Sequence, residues 1–172
     1  DLESFEYWSI TDKDYFSISV IKGLVMDAVR KANSGHPGGA MSSADFIYLL
    51  FKDYLKFDPK DPEWFDRDRF ILSGGHMSML QYSVLHLIGW MKLSELKKFR
   101  QFGSSTPGHP EVEIPGVECT TGPLGQGFAM GVGMALAEAY LSDIISIDNE
   151  DSGALVDHFT YVLATDGDLQ EP

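Results

Sequence analysis

An apolar run near the end of the chain, Phe159, Tyr161, Val162, Leu163 and Ala164, stops abruptly at Thr165-Asp166-Gly167-Asp168. The pattern predicts a buried strand that delivers a tight acidic turn. In an open parallel α/β sheet, ligands collect beyond the carboxyl ends of the strands. An Asp-Gly at that point sets a carboxylate at the mouth of the crevice and lets backbone come close. Such a carboxylate suits a hard divalent ion holding a phosphate, because Mg²⁺ takes one or two carboxylates and completes its octahedron with phosphate oxygens and water. Asp-Gly is also among the commonest surface-turn dipeptides, so the turn alone does not separate a site from a bend. The separation has to come from upstream.

With 172 residues the chain is the size of one domain and can bury a real core. Its formal charge of -13, with no basic stripe, argues against a nucleic-acid partner, whose phosphates are met by clustered Lys and Arg. Cys119 is the sole cysteine, so no internal disulfide can form and a reducing, cytoplasmic compartment is the simplest context, an organelle reached by a removed targeting peptide being the alternative. The longest apolar stretch, Phe128 to Leu141, is interrupted by Gly131, Gly133 and Glu138 and is shorter than a membrane span of roughly 18 residues. No membrane is expected. The chain opens without Met or a signal pattern, and its last strand and loop lead into no further helix. A fragment, or one part of a larger assembly, is the expectation.

Residues 1–11 are aromatic and acidic without periodicity and are expected to lie as an extension on something else. From Asp14, the positions Ile18, Ile21, Val25, Ala28 and Ala32 make one face of a helix ending at Asn33-Ser34-Gly35. Gly35-His36-Pro37-Gly38-Gly39 then holds an imidazole on a short leash between residues that restrict or free the backbone. A second helix is expected through Phe46, Ile47, Leu49, Leu50 and Tyr54, capped by Ser42 or Ser43. Phe70-Ile71-Leu72 reads as a strand, and Ser73-Gly74-Gly75-His76 repeats the first loop's design ahead of a helix with Met77, Leu80, Val84, Leu87 and Ile88 buried. His86, inside that helix, reads as packed or surface-lying. Ser94 is the expected cap of a short basic helix through Arg100.

Thr106-Pro107-Gly108-His109-Pro110 is a third histidine clasped by Gly and Pro. Three such loops in an α/β pattern imply that backbone and imidazole are aimed at one small volume. Thr121-Gly122-Pro123-Leu124-Gly125-Gln126-Gly127 opens a long helix to about Asp143. Gly131 and Gly133 inside it cost about 2 kcal/mol relative to Ala. Gly127, Gly131, Ala135 and Ala139 form a flat stripe on which another backbone can lie, and the contacts made there offset that cost. The glycine-rich start can offer amides to an anion or carbonyls to a cofactor ring. Residues Ile144 to Asp157 read as an acidic connection.

In this order, Gly35-His36-Pro37-Gly38, Ser73-Gly74-Gly75-His76, Thr106-Pro107-Gly108-His109-Pro110-Glu111, Thr120-Thr121-Gly122-Pro123-Leu124-Gly125-Gln126-Gly127 and Asp166-Gly167 closely resemble the amino-terminal part of the transketolase family. The resemblance implies an α/β thiamine-diphosphate-binding fold, a partial open parallel sheet with helices on both faces. Residues 1–13 would be an extension and 14–172 an incomplete diphosphate-binding domain. It also implies transfer of a two-carbon ketol unit from a ketose phosphate to an aldose phosphate in the pentose phosphate pathway, with thiamine diphosphate and Mg²⁺ or Ca²⁺, in a homodimer.

By motif, His76 would contact the cofactor, Gly122, Pro123 and Leu124 would line its ring, Asp166 would ligate the metal, Gly167 would bind the diphosphate and Glu171 would stand near the aminopyrimidine. His36 and His109 would face the sugar, where an imidazole with a pKa near roughly 6.5 can move a proton to or from a hydroxyl. The cofactor is the electron sink and the protein supplies position and charge. Three positions depart from the family pattern, which usually has Asn at 74 and Gly at 165 and 172; Thr165 is expected to crowd the diphosphate loop and Pro172 to stiffen the entry to a helix. The family's next metal-binding asparagine and its activating glutamate would lie beyond Pro172, so these residues alone are expected to be inactive. Three alternatives stand beside this reading: a non-catalytic homologue, a dihydroxyacetone synthase-type relative, and a zinc hydrolase built on His36, His76 and His109.

Overall fold

The computed structural model describes residues 2–146 and 155–171, so Pro172 and much of the acidic connection after α6 lie outside the described residues. Helix α1 (Ile10–Ala32) is opened by Ser9, whose hydroxyl accepts from the Asp12 amide at 3.1 Å and donates to its carboxylate at 2.6 Å. It starts ahead of the expected Asp14 because this cap, not burial, holds its first turn; Ile10 is 73 % exposed and shows no apolar face to read. Ile21, Val25 and Ala28 are buried, and Asn33 ends the helix at φ 48°. A 3₁₀ turn, Leu2–Tyr7, folds back so that Phe5, Trp8 and Phe16 pack at centroid distances of 5.4 to 5.9 Å.

Where one helix is expected after His36, the chain makes α2 (Pro37–Ser42), α3 (Ala44–Leu49) and a wide π turn, Leu50–Tyr54. Neither Ser42 nor Ser43 caps through its side chain; Ser42 Oγ donates back to the Gly39 carbonyl. The break at Ser43 and the wide turn rotate the apolar stripe, so Ala40, Ala44, Ile47, Leu50 and Phe51 are buried while Phe46, Leu49 and Tyr54 face outward. After the 3₁₀ turn Gly75–Met77, helix α4 (Ser78–Leu87) is buried continuously from Ser78 to Leu85 and forms the centre of the core. Leu87, expected inside, is exposed, and His86 is packed through an Nδ1 contact of 2.8 Å with the Met91 carbonyl. Helix α5 (Leu93–Leu96) follows Lys92 without a side-chain cap from Ser94, and it ends before Arg100, whose φ of 60° and amide bond to the Thr106 carbonyl turn the chain away.

Strands β1 (Arg69–Leu72) and β2 (Thr160–Leu163) pair in parallel, Arg69 against Thr160 through Leu72 against Leu163. Two carboxylates set that register. Buried Asp68 accepts from the amides of Lys56 and Phe159, both at 2.7 Å, and Asp66 accepts from the Asp157 amide at 2.7 Å. Side chains alternate across the sheet. Phe70, Leu72, Tyr161 and Leu163 join the core under α1, α3 and α4, whereas Ile71 and Val162 meet α6 (Gln126–Ser146), so helices cover both faces. The run into β2, expected to be buried, is only half-buried, because β1 is its single strand neighbour among the described residues.

The small-residue stripe on α6 behaves as expected at its first half. A Cβ on Gly127 would lie 2.6 Å from Ser73 Cα, and one on Gly131 would lie 2.5 Å from Val162 Cγ2. Gly133 meets nothing within 4 Å, and Phe128, Val132, Leu136 and Tyr140 are exposed. By length and composition α6 is sufficient to cross a membrane, yet its glycine edge is seated on the sheet and the rest of its apolar surface is uncovered.

Candidate active site

Because β1 and β2 run parallel, their carboxyl ends open on the same side, and every loop singled out in the sequence comes to that side. The end of β1 leads into Ser73-Gly74-Gly75-His76, which lies directly on Thr121-Gly122: a Cβ on Gly75 would sit 2.6 Å from Thr121 Oγ1 and 2.9 Å from the Gly122 amide. Thr121 Oγ1 in turn donates to the Leu72 carbonyl at 2.8 Å. His36, at the start of α2, sets its ring edge-on to that of His76 at a centroid distance of 5.3 Å. The His109 ring lies against Gly122, with Cδ2 3.5 Å from where a Cβ would be. Gly122 has φ +158°, at the border of the region in which a side chain would strain the backbone.

The His109 loop is held from beneath by α4. Ser78 Oγ donates to the Gly108 carbonyl at 2.9 Å, and the Tyr82 hydroxyl reaches the Pro107 and His109 carbonyls at 3.0 and 3.2 Å. Burial pushes the Tyr82 phenol well above its ordinary range, so it stays a donor. Loss of hydration at its inner edge draws the His109 imidazole below its usual pKa, and the charges of Arg100, His36 and His76 act in the same direction. A neutral imidazole at neutral pH has one nitrogen free to accept a proton. A cavity of about 690 Å³ opens beside it, lined by Ser34, Arg100, Gln101, Ser104 and Glu111 among others.

On the other side, the Thr165–Asp168 turn lies beneath the loop leading into α6. Leu124 Cδ1 is 3.3 Å from a Cβ built on Gly167, and Glu171 Cβ is 3.1 Å from one built on Gly125. Asp166 is exposed and makes no hydrogen bond or ion pair among the described residues, so its carboxylate is available to a ligand. Thr165 does not press on Gly167: its methyl carbon lies 3.0 Å from a Cβ built on Gly74. The two departures from the family pattern at 74 and 165 therefore meet each other, the added methyl filling room that glycine leaves.

His36, His76, His109, Gly122, Pro123, Leu124, Asp166, Gly167 and Glu171 are thus brought to one end of the sheet. Among the described residues no group of three or more His, Cys, Asp or Glu is arranged to hold an ion, so the arrangement of the three imidazoles gives the zinc-hydrolase alternative no support. Sequence reasoning missed the supports. Asp168, 2 % exposed, accepts from Ser73 Oγ at 2.7 Å, the Gly125 amide at 2.9 Å, and the Thr165 amide and hydroxyl at 2.8 Å each. Burial alone would raise this carboxyl, but the Gly125 amide first, then Thr165 and Ser73, hold it below the ordinary carboxylate value. The Asp168 amide also donates to Thr165 Oγ1 at 3.2 Å, which completes a reciprocal Thr-x-x-Asp box. That spacing is legible in Thr165-Asp166-Gly167-Asp168.

Glycine loops, leashed imidazoles and a free carboxylate gathered beyond the ends of parallel strands make the ligand-binding crevice of an open α/β protein. The family model described as "Transketolase, thiamine diphosphate binding domain" matches residues 13–172, and the chain belongs to that family. It is 56 % identical over 161 residues to a transketolase of Staphylococcus epidermidis, covering 93 % of this chain and 24 % of that protein. It is 57 % identical over 155 residues to transketolase 2 of Escherichia coli, covering 89 % and 23 %. Among solved structures, transketolase from Pichia stipitis in complex with sedoheptulose-7-phosphate superposes with a TM-score of 0.86 at 49 % identity, and transketolase from Leishmania mexicana with 0.87 at 46 %, each covering 92 % of this chain and 23 % of that one. The chain spans about a quarter of the length of the relatives it matches.

Proposed function

We propose that this chain supplies the thiamine-diphosphate-binding part of a transketolase, which moves a two-carbon ketol unit from a ketose phosphate to an aldose phosphate. The observation that carries the proposal is the convergence of His36, His76 and His109 with Gly122 and the Asp166-Gly167 turn at one end of the sheet, within a chain of the transketolase family. The residues fit the cofactor. Gly122 carries no side chain of its own and brings its backbone against the His109 ring, and the unpartnered Asp166 carboxylate is a hard donor of the kind Mg²⁺ or Ca²⁺ takes together with diphosphate oxygens.

Bound there, thiamine diphosphate supplies the electron sink that the chain's own side chains lack. Asp166 would hold the metal, Gly167 would bind the diphosphate, and Gly122, Pro123 and Leu124 would line the ring. His76 would contact the cofactor, and Glu171 would stand near the aminopyrimidine. His109, its imidazole drawn below the usual pKa, would accept a proton from a sugar hydroxyl or donate one to an oxygen gaining charge, and His36 would face the same sugar.

The relatives are about four times as long as this chain, and we infer that the corresponding length would supply the remaining ligands and domains, with that part, or a second copy in a homodimer, seated on the uncovered apolar face of α6. We place the enzyme in the cytoplasm, in the pentose phosphate pathway. A degenerate, non-binding homologue is disfavoured because Thr165 is accommodated by Gly74. The test is an assay of the full-length enzyme with Mg²⁺, thiamine diphosphate and a ketose/aldose phosphate pair. Product that vanishes on omission of cofactor and in Asp166→Ala is expected; absence of product from the wild type refutes the proposal.

A further inference from the structure

We propose that Asp168 is a positioning residue that ties the three cofactor-facing loops into one rigid cradle. The inference rests on the function proposed above. Its carboxylate takes hydrogen bonds from three separate segments: Ser73 Oγ at the end of β1, the Gly125 amide ahead of α6, and the Thr165 amide and hydroxyl at the end of β2. Ser73 Oγ extends the chain of bonds by accepting from the Phe128 amide at 3.1 Å in the first turn of α6. Each segment carries, within a few residues, one of the groups assigned to the cofactor: His76, Leu124 and Asp166-Gly167.

The node has no slack. Asp168 Oδ2 lies 3.5 Å from a Cβ built on Gly74, and its carbonyl oxygen 3.1 Å from one built on Gly125. No cation pairs with it among the described residues, so burying the carboxylate is repaid by hydrogen bonds alone. If its purpose were only to fill space, an apolar side chain would serve without that desolvation. Four donors aimed at two oxygens need a carboxylate. An amide at 168 has one oxygen and one NH₂, and whichever way it turns, it sets N–H groups against either the Gly125 or the Thr165 amide and releases one loop.

The test uses the full-length enzyme. Dissociation constants for thiamine diphosphate and for inorganic pyrophosphate, each with Mg²⁺, are measured by calorimetry for wild type and Asp168→Asn, beside thermal unfolding of the cofactor-free proteins. Positioning predicts that Asp168→Asn weakens both ligands by about tenfold or more, the scale of one lost hydrogen bond to a charged group. A purely structural role lowers the unfolding temperature and leaves both constants within about twofold at temperatures where the variant is folded, and that result overturns the proposal. Should Asp168→Asn fail to fold, Thr165→Val and Thr165→Ser decide: loss of the hydroxyl weakens binding and the serine restores it, and equal constants in the two overturn the proposal. A wild type that binds neither ligand refutes the functional proposal as well; a wild type that binds, with variants that bind equally, refutes only the role of Asp168.

Discussion

Gly131 and Gly133 are two residues apart on α6, and replacing each by alanine should move stability in opposite directions. A methyl at 131 would be 2.5 Å from Val162 Cγ2 and 3.3 Å from Ile71 Cδ1, against the 3.5 to 4.0 Å of an unstrained carbon contact, so helix or strand must yield by about 1 Å. Val162 is β-branched and paired with Ile71 in the strand register, which leaves its side chain little freedom to turn away. Overpacking of this kind costs about 1–3 kcal/mol, while alanine returns about 1 kcal/mol of helix propensity. The net effect of Gly131→Ala is a loss of about 1 kcal/mol.

Gly133 has nothing within 4 Å, so Gly133→Ala in this chain keeps the propensity gain of about 1 kcal/mol. The two variants should therefore differ by about 2 kcal/mol and in sign. Urea unfolding of the chain followed by circular dichroism measures each, and a cycle with Val162→Ala isolates the clash, which should cancel most of the cost of Gly131→Ala. If Gly131→Ala is as stabilising as Gly133→Ala, or if Val162→Ala leaves its effect unchanged, the seating of α6 on β2 is wrong.

Asp68→Ala removes the acceptor of the Lys56 and Phe159 amides and should cost about 3 kcal/mol, at about 1.5 kcal/mol for each hydrogen bond to a charged group, with faster hydrogen exchange at the Phe159 amide as the local signature. Asp66 is held below its ordinary carboxylate value; burial pushes it up, but the Asp157 amide and Lys56 outweigh that. Its stabilisation is therefore complete above the unfolded value near 4 and lost as pH falls through the folded one, so the urea midpoint should drop below about pH 4 and Asp66→Asn should flatten that fall. Burial, helped by the charge of Glu118, pushes the Cys119 thiol up to about 11, so at pH 8 only about one thiol in a thousand is ionised. Iodoacetamide should leave the native protein unmodified by mass and add one group in urea; labelling of the folded protein would contradict the burial.

The loops were legible because their chemistry is local. Gly and Pro around His36, His76 and His109 restrict backbone within a few residues of each ring, and the turn after β2 is written in four consecutive residues. The first helix showed its buried face at Ile21, Val25 and Ala28 but not its start, since Ser9 and Asp12 stabilise the first turn through hydrogen bonds that hydropathy does not register. The single helix expected after His36 failed at Ser43 for a related reason. Its break at Ser43 and the wide turn after Leu49 bring Ala40, Ala44 and Ile47 into the core, an outcome that the spacing of apolar residues along the segment does not register.

The sequence alone determined which side chains carry chemistry and, through alternating and three-four spacings, which elements present them, because backbone preference and apolar periodicity act over a few residues. Only the tertiary structure decided that the Thr165 methyl comes to rest on Gly74, that α6 meets the sheet at Gly131 and not at Gly133, and that Asp168 rather than Asp166 is the carboxylate withdrawn from water. Those outcomes depend on contacts between segments far apart in the chain, where a few tenths of an ångström select the partner and no local preference does.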